Sequence, residues 1–196
     1  MHMPESDFVQ NIRRKLPHIQ LPDSILFITW RLAFDLPKHS KGDVSDIESS
    51  FLEAFSQYDS LLDKSESARI DISREPYLSI TKQAIHHYAG KRYELYAFCI
   101  MPNHLHLIVK PMLKDITNYY SLNEITLSIK SYTAHAIKKF NKHIDKVWQT
   151  ESYDHVIRDE KELLKLLEYV INNPVEAGLA DNWESWEGTY INSRFL

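Results

Sequence analysis

The 196-residue chain reads as α+β. The predicted architecture is a ferredoxin-like (RRM-like) antiparallel sheet of about four strands with helices packed on it. Three observations predict it. The periodic segments run strand, helix, helix, strand, strand, helix, short strand, helix. Two strands near the middle are joined by a tight Pro102-Asn103 turn. Each longer helical segment carries an apolar stripe at helical spacing.

Residues 1–17 read as an N-terminal arm, and His18 to Asp23 leads into the first strand. Ser24 to Leu32 alternates, with Leu26, Ile28, Trp30 and Leu32 on one face and Ile25, Phe27, Thr29 and Arg31 on the other. Residues 38–43 read as a loop. Asp46 to Leu62 places Ile47, Phe51, Phe55, Tyr58 and Leu62 at helical spacing, and the polar stretch 63–75 reads as exposed or mobile. A second helix is expected from Pro76 to about Tyr88, with proline in its first turn and Gly90 ending it. His86 and His87 lie near that end, where the helix dipole favours histidine, so they read as structural or solvent-facing.

Arg92 to Met101 is the next strand, and the strand after the turn opens on His104-Leu105-His106. Leu122 to Phe140 is expected to be an amphipathic helix with a stripe of Leu122, Ile125, Ile129, Tyr132, Ala136 and Phe140. Its other face carries Lys130, His135, Lys138 and Lys139, followed by Lys142. His155 to Ile157 reads as a short strand. Asp159 caps a last helix that Pro174 is expected to stop near Asn172, with Glu162 completing a loose capping box. The aromatic tail, 183–196, should pack on the same single domain, which spans 1–196.

Composition narrows the function classes. At 43% hydrophobic and 26% charged, the chain is an ordinary globular sequence. Only four glycines occur, and there is neither a G-x-G-x-x-G nor a Walker-type loop, so no nucleotide cofactor is expected. Cys99 is the only cysteine, which excludes an internal disulfide or a cysteine-based zinc cluster. No signal peptide and no membrane span are read, so a cytoplasmic protein is expected. The formal charge of −4 weighs against nucleic-acid binding as a whole. It is unevenly distributed, however, and between Lys130 and Lys146 Asp145 is the only acid. That face is either solvated or bound to phosphates.

His104 and His106 lie two apart on a strand, so both imidazoles face the same way and can form half of a metal site. With ten histidines, chance alone places a His-x-His in roughly one such chain in two, so a pair of surface histidines is the competing reading. Tyr169 and Asn173 stand one turn apart at the edge of the last helix's stripe, formed by Leu163, Leu167, Val170 and Ile171. They can meet the histidines, or simply bond each other at a helix end.

Met101-Pro102-Asn103-His104-Leu105-His106-Leu107-Ile108-Val109 resembles the HUH motif (His, bulky hydrophobe, His) of single-tyrosine transposases. Trp148-Gln149, the stretch Tyr153 to Asp159 and the stretch Tyr169 to Leu179 resemble the C-terminal half of the REP-associated tyrosine transposases. The resemblance covers about residues 18–190. It implies an HUH transposase-like fold, Tyr169 as nucleophile, and His104, His106 and Asn173 as ligands of a divalent metal, Mg²⁺ or Mn²⁺. It further implies nicking and rejoining of single-stranded or hairpin DNA by a monomer or homodimer. Arg31, Lys130, Lys138, Lys139, Lys142 and Arg158 are the candidate DNA contacts. The family's usual Trp-Ser-Ser appears here as Trp186-Glu187-Gly188-Thr189. Two rival readings are a catalytically silent, domesticated DNA-binding relative and an unrelated histidine-rich metallohydrolase.

Overall fold

A computed structural model describes residues 23–34, 51–65 and 68–196. The expected arm, the loop at 38–43 and the start of the first helix around Ile47 lie outside the described residues. Among the described residues, five strands form one antiparallel sheet: β1 (Ile25–Arg31), β2 (Tyr93–Ile100), β3 (His104–Pro111), β4 (Tyr153–Ile157) and β5 (Thr189–Ile191). Their order is β4-β1-β3-β2-β5, so the histidine strand is central. Among the described residues, four α-helices pack on the sheet: α1 (Phe51–Asp63), α2 (Tyr77–Tyr88), α3 (Leu122–Phe140) and α4 (Glu160–Glu176).

The register divides the side chains between two faces. Thr29 of β1 opposes His106 and Arg31 opposes His104, so these four share a face. Phe27, Tyr153 and His155 lie on that face too. Helices α1 and α4 cover it: Phe55 of α1 meets Phe27 edge-on at 5.0 Å, and Tyr169 of α4 stands 5.9 Å from His106 between ring centroids. Helices α2 and α3 cover the opposite face. Tyr93 donates to the Ile85 carbonyl of α2, and the ammonium of Lys130 on α3 lies over Trp30. Leu105, Leu107 and Val109 are fully buried beneath that second layer. Each such side chain contributes on the order of 1.5–3 kcal/mol through burial.

Four expectations need correction. The tail adds a fifth strand: Thr189–Ile191 pairs with β2, and Gly188 accepts a bond from Ile100. A Cβ at Gly188 would lie 2.5 Å from the Ile100 carbonyl oxygen, so glycine is needed for that approach. Pro174 does not stop α4, which continues to Glu176. Proline removes one helical bond, a cost of about 3 kcal/mol. Ala177 nevertheless donates back to Asn173, and Pro174 itself is buried, so packing holds the helix through the defect. Asn173 therefore stays helical, one turn beyond Tyr169.

The stripe of α3 is turned from its predicted position. Tyr132 and Phe140 are exposed, while Thr126, Thr133 and Ile137 are buried. Threonine can be buried here because Thr126 and Thr133 return their hydroxyls to carbonyls one turn back. Thr133 also accepts from the Trp148 indole at 2.8 Å. The capping box at α4 is half formed. Asp159 accepts from Glu162 N, but the Glu162 carboxylate turns to Arg158 N and His155. The full capping box lies at Ser121 and Glu124 of α3, unread in the sequence.

Candidate metal and nucleophile site

His104 and His106 are both fully buried, and each ring is fixed from behind. Asn103 directs its amide nitrogen to the carbonyls of Leu62 and Ser65, at 2.7 and 3.0 Å. That leaves its oxygen to accept from His104 Nδ1–H at 2.7 Å. The His104 proton therefore sits on Nδ1, and Nε2 presents its lone pair to the site. His106 Nδ1 lies 2.8 Å from the Thr29 hydroxyl, which can donate or accept by rotating.

The two Nε2 atoms are 3.1 Å apart. With the His104 proton held on Nδ1, that contact requires a proton on His106 Nε2 or a cation in its place. Burial pushes His104 down to about 3, set back only in part by the nearby Asp59 carboxylate. A neutral imidazole is the form that binds a metal.

Asp59 of α1 is the residue that sequence reasoning missed. It is buried, and its two oxygens each lie 3.3 Å from a histidine Nε2, Oδ1 from His104 and Oδ2 from His106. One ligand atom from each of Asp59, His104 and His106 falls within 4.8 Å of the others. Burial alone would raise the Asp59 carboxyl, but His106 and His104 more than offset it and hold it well below the usual carboxylate range. A signal for it exists in the sequence: Phe55, Asp59 and Leu62 fall at i, i+4, i+7, which puts a charge on the buried face of a helix.

Tyr169 donates its hydroxyl to Asp59 Oδ2, and Asn173 donates its amide to the same oxygen at 2.8 Å. Asn173 is thus buried and one carboxylate away from His106. Burial, then the Asp59 charge, keeps the Tyr169 phenol well above its ordinary value. Asp59 Oδ1 and Asn173 Oδ1 are buried with no hydrogen-bond partner among the described residues. Asp59 Oδ1 stands beside the imidazole nitrogens, and carboxylate plus two imidazoles form a donor set that fits a divalent cation.

The basic candidates are either turned to backbone carbonyls or exposed. Lys130 directs its ammonium to the carbonyls of Gln149, Thr150 and Glu151 and to Ser152, and Lys138 to the Asp145 carbonyl. Arg31 bonds the carbonyls of Leu32 and Phe34. Lys139, Lys142 and Arg158 are exposed. Cys99 opposes His106 from β2 as a buried thiol pushed up to about 12 by burial. Among the described residues, no helix is long and apolar enough to cross a membrane.

Comparison with known proteins gives findings in both sequence and structure. Residues 67–173 match the family described as "Transposase IS200 like". A Haemophilus influenzae protein described as "Putative REP-associated tyrosine transposase" is 29% identical over 131 residues, covering 64% of this chain and 72% of the relative. A second, uncharacterized protein of that organism is 34% identical over 95 residues, covering 40% of this chain and 52% of the relative. In structure the chain is similar to "the REP associates tyrosine transposase bound to a REP hairpin", with a TM-score of 0.54 at 19% identity, covering 86% of this chain and 77% of that one.

Proposed function

Since the chain belongs to the IS200-like transposase family, we propose that it nicks and rejoins single-stranded, hairpin-forming DNA through a covalent link to Tyr169. One observation carries this reading: a single chain sets the Tyr169 ring 5.9 Å from His106, on the sheet face that both histidines share. The relative whose name includes a bound hairpin supports hairpin DNA as the substrate.

His104 and His106 would hold a divalent ion, Mg²⁺ or Mn²⁺, with the Asn173 amide oxygen as a further ligand. When bound, such an ion neutralises charge on the scissile phosphate and makes phosphorus more electrophilic. The remaining roles belong to the protein. The central strand fixes both imidazoles, and Asn103 fixes the tautomer of one. Helix α4 presents the phenol oxygen to that phosphate. A bond forms between Tyr169 Oη and phosphorus as the bond from phosphorus to the 3′ oxygen breaks. The phenol proton ends on the departing 3′ oxygen. The phosphodiester energy is kept in the tyrosyl ester, so rejoining by the reverse step needs no nucleotide triphosphate.

The test incubates the protein with labelled hairpin oligonucleotides from the flanks of its own gene and resolves the products on a denaturing gel. A protein–DNA adduct is expected with Mg²⁺ or Mn²⁺, and none is expected with EDTA or in Tyr169→Phe. Retained hairpin binding with no adduct under any metal would instead support the silent, DNA-binding relative.

A further inference from the structure

Asp59 lies on α1, outside residues 67–173 that match the family, yet its carboxylate touches every group assigned above. Oδ2 accepts from both Tyr169 and Asn173, while Oδ1 faces His104 Nε2 at 3.3 Å with no hydrogen-bond partner among the described residues. Packing fixes the α1 backbone that carries this side chain. Phe55 lies edge-on to Phe27 at 5.0 Å, Phe51 stacks on His155 at 3.6 Å, and Leu62 is fully buried. A buried carboxylate with one oxygen unpartnered is costly unless a charge or a proton meets it. Among the described residues, the groups that face it with a proton or a lone pair for a cation are the two imidazoles, the phenol and the amide.

We propose that Asp59 is a positioning residue that couples cation binding to placement of the nucleophile. Through Oδ1 it completes the cation site, and through Oδ2 it holds the Tyr169 hydroxyl and the Asn173 amide. A cation that draws on Oδ1 moves the carboxylate, and with it the two groups hanging on Oδ2. Nucleophile and cation therefore sense each other through one side chain supplied by α1. This inference rests on the cation site proposed above, and its test separates the two.

Asp59→Asn keeps the size and removes the charge, and circular dichroism checks that the variant folds. Two readouts follow. The first is Mn²⁺ affinity, measured by electron paramagnetic resonance. The second is the NMR resonance of ¹³Cζ-labelled Tyr169 during Mg²⁺ titration, identified by its loss in Tyr169→Phe. The wild-type Tyr169 resonance is expected to shift on Mg²⁺ binding. In Asp59→Asn the affinity should fall at least about tenfold and the shift should disappear. Wild-type Mn²⁺ affinity in Asp59→Asn, or a Tyr169 shift that survives in it, overturns the coupling. If Asp59→Asn does not fold, the wild-type titration decides alone: a Tyr169 resonance that stays still at saturating Mg²⁺ overturns it. His104→Ala reports on the parent reading. If His104→Ala loses Mn²⁺ and Asp59→Asn does not, only the coupling fails. If His104→Ala binds Mn²⁺ like the wild type, the cation site itself fails.

Discussion

His106 and Thr29 meet across two neighbouring strands, 2.8 Å from ring nitrogen to hydroxyl, in a register that makes them direct partners. A hydroxyl there can accept from Nδ1–H when Nε2 binds a cation, or donate to Nδ1 when Nε2 carries the proton. Thr29→Val keeps the shape and removes that choice. Its Mn²⁺ affinity is expected to fall about 10–100-fold, the usual effect of losing a partner behind a ligand. Titration of the purified variant checks this, and an unchanged affinity would mean that Thr29 only fills space.

Tyr132 is the tempting rival nucleophile, because it sits in a lysine-rich helix. Its place on α3 puts it on the layer opposite the histidines, and it is 50% exposed. Tyr132→Phe should change stability by less than about 0.5 kcal/mol and leave the covalent adduct intact. Loss of the adduct in Tyr132→Phe would reassign the attacking residue.

Lys139, on the helix layer opposite Tyr169, and Lys142 just beyond that helix are exposed, whereas Lys130 and Lys138 bond nearby carbonyls. DNA that engages both faces must pass round the sheet. Replacing Lys139 and Lys142 together by Ala should weaken hairpin binding for all sequences. The slope of log affinity against log salt should flatten by roughly 0.7–0.9 for each phosphate that is no longer neutralised. An identical salt series would show that these lysines are only solvated.

The contribution of His104 to the stability of the metal-free protein should fall in acid before any carboxylate of ordinary strength is protonated. His104 is lowered to about 3 in the fold by burial and returns to its ordinary value of about 6.5 on unfolding. The unfolded chain then binds a proton that the folded chain refuses. The His104 contribution is complete above about pH 6.5 and is lost as pH falls toward 3, at up to about 1.4 kcal/mol per pH unit. Urea unfolding in EDTA at pH 7, 6 and 5 measures the slope, and His104→Gln should flatten it by about one proton. An unaltered slope in that variant would place the acid sensitivity elsewhere.

The parts of the fold legible in the sequence are those written in local chemistry. The bounds of α3 follow from its periodicity, and the histidine strand follows from alternation and the Pro-Asn turn. The three-residue β5 is too short to alternate, and its pairing depends on Gly188 approaching Ile100, which no local pattern encodes. Pro174 reads as a stop because proline usually is one, and only its burial overrides that rule. Asp59 escapes for a similar reason. It stands among Phe55, Tyr58 and Leu62, whose spacing already explains the helix, and its partners lie 45 to 114 residues away.

The central position of β3 also sets a schedule. Its neighbours are β1, from residues 25–31, and β2, from 93–100, so the histidine platform is complete in sequence well before α4. Tyr169 and Asn173 come from residues 160–176, and the edge strand β5 follows them. Domains are made N-terminus first, at about 5–20 residues per second. A growing chain therefore spends on the order of several seconds with both histidines synthesised and Tyr169 still to come. Under the mechanism proposed above, a chain cut short before residue 169 holds both histidines and lacks the tyrosine that would link it to DNA.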